Sequence, residues 1–250
     1  MTPTGAPAFG IAGGIGDDGR MQLHAYESAT QWTWGAAIAI SSAVARDLEH
    51  NARARLLLSG GKTPGPVYAA LSKSPIAWDR VDVALVDERW LLPDDPDSNA
   101  RLLRESLIQN KAQKARLETI TRAGRPFDEA IATANLHARQ PAGVVVLGMG
   151  DDGHTASLFP GMVDLEGALS ASSPYVGVDA GGSPGAGNWQ RRISLTPAGL
   201  APAHTRILLI RGEKKRALLD RLLQSDDATE FPARIAFTTP GAKLHVHWCP

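Results

Sequence analysis

VVVLGMGDDGHTASLFPG, residues 144–161, opens with four apolar residues, breaks on glycine and places a histidine six residues past the break. A short apolar run bounded by glycine, with no polar alternation, predicts a strand buried on both faces, here over 143–150. Such strands belong to parallel sheets with helices on either side. His154 stands just beyond the strand, among glycines and carboxylates. Imidazole is the one side chain whose ordinary pKa, ~6.5, lets it take and return a proton near neutrality. A histidine in that setting reads as a site residue rather than a satisfied surface one. The TASLFPG that follows is expected to start a short helix whose amide dipoles favour developing negative charge.

The same pattern repeats on both sides of this segment. RLLLSGG at 55–61 and VDVALVD at 81–87 are two more buried strands. Before them, Trp32, Ala36, Ile40, Val44 and Leu48 recur every four residues and form the stripe of a helix beginning after Ser28. Thr63 and Pro64 mark a second helix start. Ser98 or Asn99 can cap a third, carrying Leu102, Leu103, Leu107 and Ile108. Helices are expected at 127–139 and 213–224, and further strands at 175–178, 192–196, 206–210, 235–237 and 244–248. Strands alternating with helices predict an α/β fold with a mostly parallel central sheet. Residues 1–20, rich in Gly, Ala, Pro and Thr, read as a flexible N-terminal tail, and 21–250 as a single α/β domain. The tail's GGIGDDG lacks the preceding strand and following helix that a phosphate loop needs.

Charge and composition narrow the function classes. Lys plus Arg and Asp plus Glu each number 26, so no global field gathers nucleic acid or an anionic membrane. No apolar stretch approaches the ~20 residues of a membrane span, and the N-terminus lacks a signal-peptide pattern. One cysteine, Cys249, allows no intramolecular disulfide. The cytoplasm is the expected location, and no obligate protein partner is evident. His245 and His247 alternate in HVHW and would share a strand face, but no third ligand of suitable spacing accompanies them, so no metal is expected.

In doubly wound sheets ligands collect at the carboxyl ends of the strands, and three strand ends here carry unusual sequence. At LSGGKTP, Gly60 and Gly61 let backbone approach a ligand while Ser59, Lys62 and Thr63 add donors. That is either a phosphate cradle or a tight strand-to-helix turn. At DERW, Arg89 offers planar binding to phosphate. Asp87 can orient a histidine or handle a proton, the alternative being an Asp–Arg ion pair that closes the strand end. The third end is GMGDDGH. Arg192 in RRISLT and Lys215 after Gly212 are further sources of positive charge, or else a sheet-edge and a solvated helix residue.

LSGGKTP, DERWLLPDDPDSN and VVVLGMGDDGHTASLFPG, with RRISLT and GEKK as later echoes, together resemble the 6-phosphogluconolactonase family over about residues 26–223. The resemblance implies a Rossmann-like three-layer α/β/α fold of the NagB/RpiA/CoA transferase-like type. It implies hydrolysis of 6-phospho-D-glucono-1,5-lactone in the oxidative pentose phosphate pathway, with no cofactor. Carried onto this chain, it implies His154 as the general base, with Asp87 as its partner. The phosphate would be held by Arg89 and the Ser59–Thr63 loop, with Arg192 and Lys215 as later basic positions. Leu92, GGSPGAGNWQ and HVHWCP depart from the family's usual sequence. An isomerase or deaminase of the same superfamily would typically read IAFNEPG where this chain reads TASLFPG. A non-catalytic sugar-phosphate sensor would usually carry a DNA-binding unit, and the first 30 residues hold nothing of that kind.

Overall fold

The computed structural model describes residues 19–250. The glycine-rich tail anticipated at 1–20 lies almost wholly outside the described residues. In chain order the elements are strand β1 (Met21–Ala25), helix α1 (Ala29–His50), β2 (Ala54–Leu58), α2 (Gly65–Leu71), β3 (Val81–Leu85), β4 (Asp87–Arg89), α3 (Asn99–Ser106), β5 (Arg116–Leu117), α4 (Phe127–His137), β6 (Val144–Gly148), α5 (Leu165–Ser170), β7 (Tyr175–Asp179), β8 (Arg191–Leu195), α6 (Pro197–Leu200), β9 (Thr205–Arg211), α7 (Glu213–Gln224), α8 (Ile235–Thr238) and β10 (Leu244–Cys249).

Seven strands form a parallel sheet in the order β1-β10-β9-β6-β2-β3-β5. The mostly apolar runs occupy its middle, where β2 and β3 are buried at every position, the charged Arg55 and Asp82 included. From β2 the chain builds outward through β3 and β5, then returns with β6 on the opposite side of β2. That reversal opens a crevice at the carboxyl ends of β2 and β6, where ligands of such sheets bind. The stripe of α1 packs as its spacing required: Trp32, Ala36, Ile40 and Val44 are all buried. Ser28 caps this helix by accepting from the Gln31 amide.

Two of the expected strands leave the main sheet. β7 and β8 pair antiparallel, and β8 pairs with β4 in a three-stranded sheet of order β4-β8-β7. Val86 is the joint between the two sheets: its amide donates to Leu58 of the first, and its carbonyl accepts from Leu195 of the second. The DER triplet is therefore a strand in its own right and not a frayed end.

Three further elements differ from expectation. Residues 235–237 are helical, in α8, because three apolar residues carry no period and the preceding Pro232–Arg234 turn leads straight into a helix. No helix follows His154; Ala156 sits at φ 51° and Pro160 lacks an amide hydrogen, so 155–161 folds as turns and α5 starts only at Leu165. Met21–Ala25, to which no element was assigned, is an edge strand paired with β10.

Candidate active site

The crevice between β2 and β6 is a cavity of about 670 Å³. Of the residues singled out in the sequence, Ser59, Gly60, Gly61, Lys62, Thr63, Asp87, Arg89, His154 and Arg192 all line it; Lys215 does not.

On one side lies the loop after β2. Gly61 turns the chain at φ 94°, which L side chains rarely adopt. Gly60 is needed for space, since a Cβ there would strike the Asn99 carboxamide. The Ser59 hydroxyl and the Arg89 Nε are both buried without a hydrogen-bond partner in the protein. Buried donors left unpaired carry a substantial cost, so two on one cavity wall point to a polar ligand.

Arg89 is held in place by its neighbours. Its Nη1 donates to the Asp97 carbonyl at 2.5 Å and to Asn99 Oδ1 at 3.1 Å. Glu88, fully buried, accepts from the Ser98 hydroxyl and from the amides of Arg89, Asn99 and Ala100. Burial pushes the Glu88 carboxyl pKa up against those bonds. The carboxyl thus closes the N-terminus of α3 onto β4 and fixes Asn99 at the cavity wall. Neither Glu88 nor Asn99 was singled out as a site residue. The signal available was the DER triplet ten residues before a Ser-Asn helix cap.

The opposite side carries the histidine. His154 Nδ1 lies 2.6 Å from Asp152 Oδ1, and the same oxygen accepts the His154 amide at 3.1 Å. Burial works against charge on Asp152, but its contacts with His154 outweigh that and hold its pKa below the usual carboxylate range. The ionised carboxylate accepts, which places a proton on Nδ1 and, in the neutral ring, leaves the lone pair on Nε2. Two glycines make room for the pair. A Cβ on Gly150 would strike the imidazole, and one on Gly185 would strike Asp152.

Asp152 therefore occupies the place expected for Asp87. Asp87 lines the same cavity, but its carboxylate accepts from Ser157 Oγ at 2.5 Å and from Asn99 Nδ2 at 3.5 Å, and Asn99 also donates to its carbonyl at 2.8 Å. β4 aims the Asp87 side chain at the turn beyond His154, not at the ring. Lys215 is likewise spent elsewhere. It donates to the Met149 carbonyl at 2.5 Å and pairs with Asp151 at 2.8 Å, holding the glycine loop from behind. Arg192 is buried, and its guanidinium donates to the carbonyls of Ala186 and Trp189 and to Ser157 Oγ. Burial lowers its pKa.

His245 and His247 belong to a cluster of rings on the β1 side of the sheet. They stack with His24 of β1, with ring centroids 5.4 and 4.6 Å from it, and among the described residues no group of three His, Cys, Asp or Glu side chains is placed to hold a metal ion. Nor is any helix among the described residues long and apolar enough to cross a membrane.

The family model for glucosamine-6-phosphate isomerases/6-phosphogluconolactonase matches residues 27–248. A 6-phosphogluconolactonase of Xylella fastidiosa is 44% identical over 236 residues, covering 93% of this chain and 98% of the relative. A 6-phosphogluconolactonase of Pseudomonas aeruginosa is 35% identical, covering 91% and 94%. The crystal structure of a 6-phosphogluconolactonase from Shewanella baltica superposes with a TM-score of 0.80 at 31% identity, covering 92% of this chain and 98% of that one.

Proposed function

Since the chain belongs to the glucosamine-6-phosphate isomerase/6-phosphogluconolactonase family, we propose that its cavity opens a phosphosugar lactone by general-base delivery of water from His154. The reaction is that of the lactonase branch: 6-phospho-D-glucono-1,5-lactone and water give 6-phospho-D-gluconate. The observation that carries the mechanism is the His154–Asp152 pair facing a cavity whose other wall holds buried, unpaired donors.

Nε2 of His154 takes a proton from water as the oxygen attacks the lactone carbonyl carbon. The bond from that carbon to the ring oxygen then breaks, and the imidazolium returns the proton to the departing alkoxide. Asp152 keeps the ring in the required tautomer and steadies the transient positive charge. At the far end, Ser59, Lys62, Thr63 and Arg89 bind the phosphate, and the energy of that contact positions the carbonyl against the water. Asp87 acts through Ser157, fixing the turn that carries His154 at the cavity. A lactone is an activated ester, so this equipment suffices. The substrate's phosphate does not cross a bilayer unaided, which supports a cytoplasmic setting.

Adding the lactone and following acid release above spontaneous hydrolysis tests the activity. His154→Asn is expected to fold normally and lose most of that rate. Near wild-type turnover in this variant would overturn the assignment. Release of ammonia from glucosamine 6-phosphate would place the chain in the other branch.

A further inference from the structure

The loop between β7 and β8 carries residues that the mechanism above does not use. It is anchored from beneath by Arg192, which donates to the carbonyls of Ala186 and Trp189. At one point it lays Gly185 against the Asp152–His154 pair. Four residues later the indole of Trp189 reaches the other rim, where Nε1 donates to Asp97 Oδ2 at 2.8 Å. Asp97 belongs to the loop whose carbonyl receives Arg89. Trp189 and Asp97 both line the cavity, and Trp189 is 36% exposed. One hydrogen bond thus ties the loop that touches the catalytic pair to the loop that steadies the phosphate-side arginine.

We propose that Trp189 is a substrate-positioning residue, its bond to Asp97 latching the two rims around the sugar ring between the reacting carbonyl and the phosphate. This rests on the lactonase assignment of the same cavity. The latch contributes to holding the bound substrate and takes no part in proton transfer. It acts equally on ground and transition states, so its loss is felt in KM more than in kcat. An exposed tryptophan side chain held by one charged acceptor is otherwise a poor use of apolar surface. Here its ring forms cavity wall and its N–H sets the width of the mouth.

The test is steady-state lactone hydrolysis by wild type, Trp189→Phe, Asp97→Ala, Asp97→Asn and the Phe/Ala double variant. Trp189→Phe keeps the ring and removes the donor; Asp97→Asn keeps an acceptor. The expected result is a KM raised roughly tenfold in Trp189→Phe and in Asp97→Ala, with kcat moved less than about threefold. Asp97→Asn should recover most of the loss. The double variant should be no worse than either single one, since both remove the same bond. Titration with 6-phosphogluconate should change the tryptophan fluorescence of wild type, and that change should shrink in Trp189→Phe. Unchanged KM in the single variants, or effects that add in the double variant, would overturn the latch. Wild type that hydrolyses no lactone would instead overturn the assignment on which it rests.

Discussion

Replacing Asp152 with asparagine removes the charge behind His154 while keeping the shape of the pair. The carboxylate makes two bonds to the same residue, 2.6 Å to Nδ1 and 3.1 Å to the amide, and its side chain is 29% exposed. Asparagine can still accept through its carbonyl oxygen, so the ring keeps an acceptor but loses the counter-charge for the imidazolium. A hydrogen bond to a charged group contributes ~1.5–3 kcal/mol. Taking about 2 kcal/mol as the part expressed only when the ring is protonated, kcat falls roughly 30-fold. KM should change little, because Asp152 faces the His154 ring and not the wall proposed for the phosphate. The assay is lactone hydrolysis corrected for the spontaneous rate, with circular dichroism confirming the fold. A kcat within about threefold of wild type in a folded variant would refute the role of the pair. So would a loss confined to KM.

Three other outcomes follow from the geometry. Arg89→Lys removes the unpaired Nε donor and the planar fork, so KM for the lactone should rise roughly tenfold with kcat nearly unchanged; competition by inorganic phosphate should weaken in parallel. Gly150→Ala pushes a methyl group into the imidazole, and should cost far more activity than thermal stability, read by comparing kcat with the melting temperature. The third concerns pH. His247 Nδ1 is 2.8 Å from the Tyr26 hydroxyl, and burial, with His24 and His245 alongside, pushes its pKa down to about 3. Below ~6.5 the unfolded chain takes up a proton at this position that the folded chain refuses, so stability is full above that pH. It should fall on acidification by up to about 1.4 kcal/mol per pH unit. His247→Leu should flatten this slope in urea melts between pH 7 and pH 5; an unchanged slope would contradict it.

The centre of the fold and the location of the site were legible in the sequence because they rest on signals that need no tertiary context. β2, β3 and β6 are predominantly apolar runs, interrupted only by Arg55 in β2 and Asp82 in β3, and each leads into glycine or charge at its carboxyl end. What escaped depended on pairing. β1 has only five residues, three of them partly exposed, and becomes a strand because β10 is there to receive it. Three apolar residues at 235–237 could be strand or helix, and tertiary context decided. The partner of His154 escaped for another reason. The family resemblance points to Asp87, while Asp151 and Asp152, side by side just before the histidine, carry no distinguishing signal. Folding decides between them: Lys215 draws Asp151 away, Ser157 occupies Asp87, and Asp152 is left facing the ring. Lys215 and Arg192 read in the sequence as candidate sources of positive charge for a ligand, but their partners are groups of the loops around the cavity: the Met149 carbonyl and Asp151 for Lys215, the Ala186 and Trp189 carbonyls and Ser157 for Arg192. A basic residue that braces a site and one that binds its ligand look alike in one dimension.

The placement of β1 bears on how the molecule is made. Among the described residues its one neighbour in the sheet is β10, and the first cross-strand histidine pair, His24 with His245, joins residues 221 apart. During synthesis from the N-terminus, β1 therefore emerges long before anything exists for it to pair with. The β2–β3–β6 centre can assemble from nearby chain, whereas this flank waits for loop closure across that whole separation. Contacts of such separation form slowly, and until then the open side of β9 is a bare strand edge able to recruit other chains. The vulnerable interval in this protein's life is thus the stretch of synthesis between β9 and β10, when the sugar-phosphate crevice can already be assembled but the sheet is still unfinished.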